Sequence, residues 1–503
     1  MDKSVLEKIR DNYFVHFSAL FLTVFAFVGK PIPYSNDFSY LLRLISTYNS
    51  EFLKNDLTFS AYQNEHWLFN HLFGVFTLFL SIEVIGWLGR FACWSILIAL
   101  LLRLGKRWKI PLWMVTLSIF LWLSIGQSIV NDEWMFGGFE AKCVAYIFLL
   151  TALDRFCDGR DFSSAALLGL SFSFHPLVGL WGFLASVLAL IVFHKDLVRT
   201  GKVILIGAAF SLIGLIPLLI MKANSVDSTS ENLQYLELVK FPFHFDPFAW
   251  ARSSILFLFL LGVFIIALHI RLKDSEAPSK FLFAFLVFLG SFFFAGIGLR
   301  FFDQYALLEF MPMRLYPVFA PLFFLFYFGA ACKNKIDRSV IIPVAVVVLI
   351  MSVWTKLPLR TYATLNSTYE AWTQTKDDTA HTFIWLRENT PSDSIVIAPP
   401  WRYDFWYLSH RARIVSYHQP IYSDLNEWQT RLEKLTGKAL PENGFREDEE
   451  LSKFYLGLAT DEIKAIASAY NATYLVSETD YPLPLVFKKG NIKVFRLKEE
   501  TTK

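Results

Sequence analysis

Apolar residues in this chain run in long blocks broken by short charged loops. A helix that crosses hydrocarbon needs about 20 such residues, fewer where protein shields it. Blocks at 14–29, 110–127, 139–154, 203–221, 254–270, 281–299, 313–331 and 339–355 fit that description. Two stretches admit two counts: residues 66–104 hold one crossing plus a surface helix or two crossings, and residues 162–194 are long enough for a hairpin.

The basic clusters choose between these counts, because Lys and Arg collect in cytoplasmic loops. A single crossing at 82–102 puts five clusters on the N-terminal side of the membrane. These are Arg103/Lys106/Arg107/Lys109, Arg155/Arg160, Lys195/Arg199/Lys202, Arg271/Lys273/Lys280 and Lys333/Lys335/Arg338. Two crossings would turn all of them outward. Residues 64–80 also carry a polar stripe, His66, Asn70, Thr77 and Ser81, at the spacing of a helix lying in the membrane interface. Stretch 162–194 has basic loops at both ends and so must cross twice or dip as a hairpin, turning at His175-Pro176, where proline disfavours helix at the preceding residue.

The total is about eleven crossings. Loops 30–81, 128–138, 222–252 and 300–312, and everything from about Leu357 onward, then face outward. Met1 to Asp11 carries Lys3, Lys8 and Arg10 ahead of the first block, and no small-residue cleavage site follows Phe27 to Tyr34, so that block reads as an uncleaved first span.

Beyond residue 357 the pattern changes to short apolar runs between polar ones. Lys376 to Asn389 predicts a helix with Asp377 and Asp378 in its first turn, then a strand Ser394 to Ala398 ended by Pro399-Pro400. Strands are expected at Arg413 to Tyr417, Thr473 to Ser477, Leu483 to Phe487 and Lys493 to Leu497, and helices at 424–436 and 460–470. The fold class expected is a polytopic α-helical membrane protein of about 11 transmembrane helices. It has a membrane domain over 1–356, with interfacial helices in its long first outer loop 30–81, and a soluble α/β domain over 357–503.

Composition agrees: 54% of the 503 residues are hydrophobic and 18% charged, against roughly 45–50% and 25% in soluble domains. Mean hydropathy is +0.42. The net charge of +3 is small and no Lys/Arg-rich block occurs, so nothing suggests a nucleic-acid partner, and none is expected. The four cysteines, Cys93, Cys143, Cys157 and Cys332, lie in or beside apolar blocks and read as small core residues. There is no P-loop, Rossmann glycine fingerprint, HExxH, paired CxxC or GxSxG.

Chemistry must therefore come from the outer loops and the span ends facing them, where ionisable residues are costly to place. Asp37 heads the first outer loop and reads either as a helix N-cap before Phe38, Leu41, Leu42 and Ile45 or as a functional carboxylate. The second loop holds Asp132, Glu133, Glu140 and Lys142 around Gly137-Gly138. Asp132 and Glu133 read as loop solvation or as metal ligands. Glu140 and Lys142 are two apart, so on one helix they point in different directions. His175 and His244 read as structural or anion-binding histidines. Arg300, Asp303 and Arg314 gather near the outer ends of two spans, where arginine reaches lipid headgroups or grips a phosphate bidentately.

The motifs Asn36-Asp37-Phe38-Ser39-Tyr40-Leu41, Gly137-Gly138-Phe139-Glu140-Ala141-Lys142, His175-Pro176, Pro242/His244/Pro247 and Trp385-Leu386-Arg387-Glu388-Asn389-Thr390-Pro391 resemble the GT-C superfamily of membrane glycosyltransferases. More closely, the chain resembles a bacterial group of GT-C-like proteins with an extracytoplasmic C-terminal domain. That resemblance implies an inverting glycosyltransferase of the bacterial cytoplasmic membrane, multi-pass, with a cytoplasmic N-terminus and the C-terminal domain outside. Its implied partners are a polyprenyl-phosphate-linked sugar donor and membrane lipids, and its acceptor a glycan, lipid or protein. By that resemblance Asp37 falls at the essential carboxylate position and Glu140, or Asp132 and Glu133, at the second acidic one, with Asp37 and Glu140 taken as catalytic, and Lys142, His175, His244, Arg300 and Arg314 are left to hold the donor phosphate. The second outer loop lacks Asp-x-Asp, so a divalent metal on Asp132 and Glu133 is not required. A flippase or transporter of a lipid-linked substrate and a non-catalytic scaffold are the rival expectations.

Overall fold

The computed structural model describes residues 12–59, 65–194, 196–272, 280–332, 346, 349–350, 352–440, 442 and 444–498. The chain divides into two compact units. One comprises Met1–Pro31, Trp87–Ile216 and Pro242–Trp372; the other comprises Ile32–Gly86, Pro217–Phe241 and Thr373–Lys503.

The apolar blocks fold as helices because only a helix satisfies its own backbone without help from neighbours. Ile82–Arg107, Leu197–Ala223, Arg252–Arg271 and Lys280–Phe301 are long and apolar enough to cross a membrane. Tyr13–Val28, Leu112–Ser124, Ala141–Cys157, Asp161–Phe174, Pro176–His194 and Tyr316–Cys332 are helical too. The block expected at 339–355 lies largely outside the described residues. Leu205, Leu219 and Ile270 point outward from their helices and are more than half exposed. Such a surface suits hydrocarbon better than water.

The break at His175-Pro176 is real: Asp161–Phe174 ends on an extended His175, and Pro176 opens the next helix, where its missing N–H is harmless. Small residues let Asp161–Phe174 approach Leu197–Ala223. A Cβ on Gly169 would lie 2.3 Å from the Gly207 carbonyl oxygen, and one on Gly214 2.5 Å from the Ser173 Cα. The Ser173 hydroxyl donates to Phe210 O at 2.7 Å and accepts the Gly214 N–H at 3.1 Å. Overpacking of this kind costs roughly 1–3 kcal/mol, so Gly214→Val should lower the thermal unfolding temperature of detergent-purified protein, whereas Gly298→Ala, with open space around it, should not.

Some basic residues that look lipid-facing are paired. Arg103 and Arg107 both hold Asp154, at 2.7 and 2.6 Å, and Arg107 also holds Asp158 at 2.7 Å, joining Ile82–Arg107 to Ala141–Cys157. Arg199 pairs with Asp161.

In the second unit, five strands are ordered β2-β1-β3-β5-β4: β1 Ile395–Ile397, β2 Ala412–Arg413, β3 Tyr474–Ser477, β4 Leu485–Lys489 and β5 Ile492–Arg496. β1 pairs parallel with β2 and β3, while β5 runs antiparallel to β3 and β4, closing a hairpin at Gly490 with φ 55°. Helix Asp378–Asn389 is capped by Asp377, which accepts the Ala380 N–H. Leu425–Thr436 and Thr460–Tyr470 match the expected helices, and Asp448–Leu456 is an additional one. The strand expected over Arg413 to Tyr417 is only Ala412–Arg413, because the chain then turns so that the Tyr417 N–H meets Pro400 O.

Two distant segments complete this unit. From 32–86, Asp56 accepts the Trp406 indole N–H at 2.6 Å and the Arg413 N–H at 3.0 Å. From 217–241, Val226 N–H donates to Ser423 O, and Asn232 to Gln429. The helix expected at 64–80 is Trp67–Gly74, extended as a 3₁₀ turn through Leu78. Its polar stripe turns inward at Asn70, which is buried, and Leu72, Phe76 and Leu78 face outward.

Candidate functional site

In the first unit, a buried charge network forms where the loop 128–140 meets the apolar helices. Glu133, 1% exposed, is its centre. Arg314 Nη2 lies 2.7 Å from Glu133 Oε2, Lys142 Nζ 3.8 Å from Oε1, and the Tyr146 hydroxyl donates to Oε1 at 3.4 Å. Lys142 also lies 3.9 Å from Glu140 Oε2 and 3.5 Å from the Trp134 ring centroid. Two carboxylates and two cations thus balance.

Backbone geometry builds the network. Glu140 is the extended N-cap of Ala141–Cys157, with φ −130° and ψ 160°. Because Glu140 stands outside the helix, its carboxylate and Lys142 come within reach of each other, which two residues two apart on one helix would not manage. Asn131, with φ 64°, donates from Nδ2 to Met313 O and Arg314 O and accepts the Glu133 N–H, so it fastens the loop to the segment carrying Arg314.

Burial alone would push the Glu133 carboxyl up, but Arg314, Lys142 and His244 outweigh it and hold the group below the ordinary glutamate range. His244 sits beside the network with Nδ1 2.5 Å from Asn131 O. A carbonyl only accepts, so Nδ1 carries the proton and Nε2 the lone pair. Burial, then Arg314, lowers its pKa to about 4, which leaves the ring neutral at neutral pH.

The other sequence-level candidates lie elsewhere. Asp132, at φ 48°, is exposed by surface area and forms no ion pair in the network, although Lys142 and Glu133 act on its charge. Asp132 and Glu133 fit a metal ion poorly, because Glu133 already faces two cations; among the described residues no group of three His, Cys, Asp or Glu could hold one. Arg300 grips Asp246 at 3.1 Å and Asp303 at 2.7 Å and stacks over Phe248. His175, buried at the helix break, accepts the Val178 N–H on Nδ1 at 3.3 Å.

Asp37 belongs to the second unit. It is 1% exposed as the first residue of helix Asp37–Tyr48, and its Oδ2 accepts the Tyr34 N–H at 3.0 Å. Asn36 rather than Asp37 occupies the N-cap and makes no side-chain cap bond. A carboxylate in the first turn is favoured by the helix dipole.

Sequence reasoning missed the partners. Arg314 was singled out for phosphate, not for Glu133, and Asn131, Trp134 and Tyr146 were not singled out as network members. Asp56 and Arg413, a buried pair in the second unit, were missed as well. The one available signal was a charge inside an apolar context, as at Lys142 and Lys240.

Residues 377–435 match a family described as a domain of unknown function (DUF6798). No curated protein matches the chain. Among solved structures, the chain is similar to the oligosaccharyltransferase of Archaeoglobus fulgidus, crystallised with a tethered acceptor peptide containing the NVT sequon. The identity is 12%, the TM-score 0.49, and the match covers 94% of this chain and 70% of that one.

Proposed function

We infer that this chain is a multi-pass membrane glycosyltransferase that takes a sugar from a polyprenyl-phosphate-linked donor. The acceptor is an extracytoplasmic glycan, lipid or protein. About eleven crossings put the N-terminus in the cytoplasm and residues 357–503 outside a bacterial cytoplasmic membrane.

The observation that carries this reading is the Glu133–Arg314–Lys142–Glu140 network. Charges held among apolar helices are expensive and mark function more often than support. In this reading Lys142 and Arg314 meet the departing lipid phosphate, since stabilising developing charge is usually the largest catalytic term. Arg314 suits that role because its Nε has no hydrogen-bond partner among the described residues. Glu140 is the second carboxylate, and His244, being neutral, adds no charge to the site. Arg300 would have to release Asp246 or Asp303 to join, and His175 would have to leave its helix break. Asp37 is the general base toward an acceptor hydroxyl, a role that needs hydrogen-bond reach in the bound complex.

A deletion strain complemented with Asp37→Asn or Glu140→Gln should lose a surface glycan or glycolipid that wild type restores, at equal protein level, by mass spectrometry. Unchanged glycans with both variants would leave a scaffold or a transporter as the better account.

A further inference from the structure

The carboxyl ends of β1 and β2 carry charges that the transferase reading leaves unused. In an open sheet with parallel strands, ligands bind in the crevice outside those ends. The loop after β1 brings Trp401, Arg402 and Tyr403, and the segment after β2 brings Tyr417 and His418. The Tyr417 N–H donates to Pro400 O at 2.9 Å, so the two loops are tied.

Lys240 reaches this edge from the π-helical turn Tyr235–Lys240, a rare conformation that is frequent at functional sites. It is 2% exposed, and its Nζ lies 4.1 Å from the Tyr417 ring centroid, 4.8 Å from Phe241 and 5.2 Å from Phe445. Among the described residues it makes no hydrogen bond or ion pair, and Asp448 is the charge that acts on it.

Arg413 closes β2, also 2% exposed. Its guanidinium lies 3.8 Å over the Trp406 ring, and Nη1 donates to Arg402 O at 2.8 Å. Nε and Nη2 have no hydrogen-bond partner among the described residues. Asp56 and Asp404 act on the Arg413 charge, but the Asp56 oxygens accept from the Arg413 backbone, the Trp406 indole and the Thr58 N–H rather than from these two groups.

Both cations act on His418. Its ring stacks on Tyr403 at 3.6 Å, and Nε2 donates to Trp401 O at 2.8 Å, which leaves Nδ1 an acceptor. Burial, then Lys240 and Arg413, lowers its pKa to about 2, so two positive charges converge on a neutral ring. Tyr403 in turn is within electrostatic reach of Tyr34, whose N–H holds Asp37.

We propose that this edge of the sheet is a phosphate site, with Lys240 and Arg413 supplying charge and donors and Tyr403 and His418 an aromatic wall. A buried guanidinium with two undirected N–H groups and a caged ammonium are costly alone. A phosphate has the oxygens to accept from both. The phosphate belongs to a soluble ester or to a lipid-linked one, and the site stands whether or not the transferase reading does.

The test is isothermal titration of the full-length protein in detergent micelles with inorganic phosphate, geranyl phosphate and sulfate. Wild type should bind phosphate at pH 6.5. Lys240→Met, whose thermal unfolding shows it folded, should bind at least tenfold more weakly, and Lys240→Arg should retain binding. Sulfate stays a dianion across the range, so its affinity should fall as pH rises through 7 in wild type and stay flat in Lys240→Arg. The groups facing Lys240 are the Tyr417, Phe241 and Phe445 rings, with Asp448 and His418 as titratable neighbours. Tenfold tighter geranyl phosphate than inorganic phosphate assigns the site to a lipid-linked ester; equal affinities assign it to a soluble one. Equal phosphate binding by wild type and Lys240→Met, or no binding of any probe by wild type, overturns the proposal.

Discussion

Glu133→Gln should destabilise the protein by about 3–5 kcal/mol, the usual cost of breaking one side of a buried ion pair. The substitution leaves Arg314 and Lys142 buried with one carboxylate, Glu140, between them, at 3.9 Å from Lys142 alone. Thermal unfolding in detergent reads it as a drop of many degrees. The neighbouring Asp132→Asn is the comparison: Asp132 is exposed by surface area and makes no ion pair, and burial already raises its carboxyl pKa, so neutralising it should cost far less than Glu133→Gln. Equal, small shifts for the two variants would mean that the Glu133 ion pairs add little to the hold that Asn131 already has on the segment carrying Arg314.

The pH dependence has a definite sign. Glu133 is depressed in the folded state, so its contribution is fully present above the ordinary glutamate value and is lost as pH falls through the folded one. His244 is also depressed, to about 4. Between that value and its ordinary 6.5 the unfolded chain binds a proton that the folded protein refuses, so acidification below neutrality erodes stability. Glu133→Gln should remove the first of these slopes and change the second, since Glu133 is one of the charges that raise the His244 value.

Lys240→Met should act in the opposite direction and stabilise the ligand-free protein by on the order of 4 kcal/mol at pH 7. Burial lowers the Lys240 pKa from 10.5 to about 7, against the pull of Asp448. The unfolded chain therefore binds the extra proton between those values, and stability rises with pH across that window. The penalty is complete below pH 7 and gone above about 10.5. Methionine fills the same aromatic cage without a charge, so the variant should melt higher at pH 7 and lose the upward slope. A variant that melts lower at every pH would show that the ammonium's contacts with Tyr417 and Phe445 outweigh its desolvation. Read beside the phosphate titration, a gain in stability with a loss of binding is the signature of a binding residue.

Some of this was legible in the sequence. The apolar blocks are helices because length and hydrophobicity are local properties and a helix closes its own hydrogen bonds. The turn at His175-Pro176 follows from the proline ring, whereas Asp377, expected inside the first turn of its helix, stands one residue before it as the cap. Alternating strands and helices after residue 390 were visible in their periodicity.

Partners were not legible, because partner choice depends on which distant segments pack together. Glu133 and Arg314 are far apart in sequence, and so are Asp56 and Arg413; each pair exists only once loop and helix, or loop and strand, are docked. The direction of the 67–78 stripe shows the same limit, since periodicity marks a face but not whether protein or lipid covers it. Spacing alone kept Glu140 and Lys142 apart, and the extended backbone at Glu140 brought them together. Residue order thus determined where helices and strands form and which faces are apolar. Tertiary packing decided which charges are buried and what answers them, because burial and pairing are set by neighbours that the local chain does not contain.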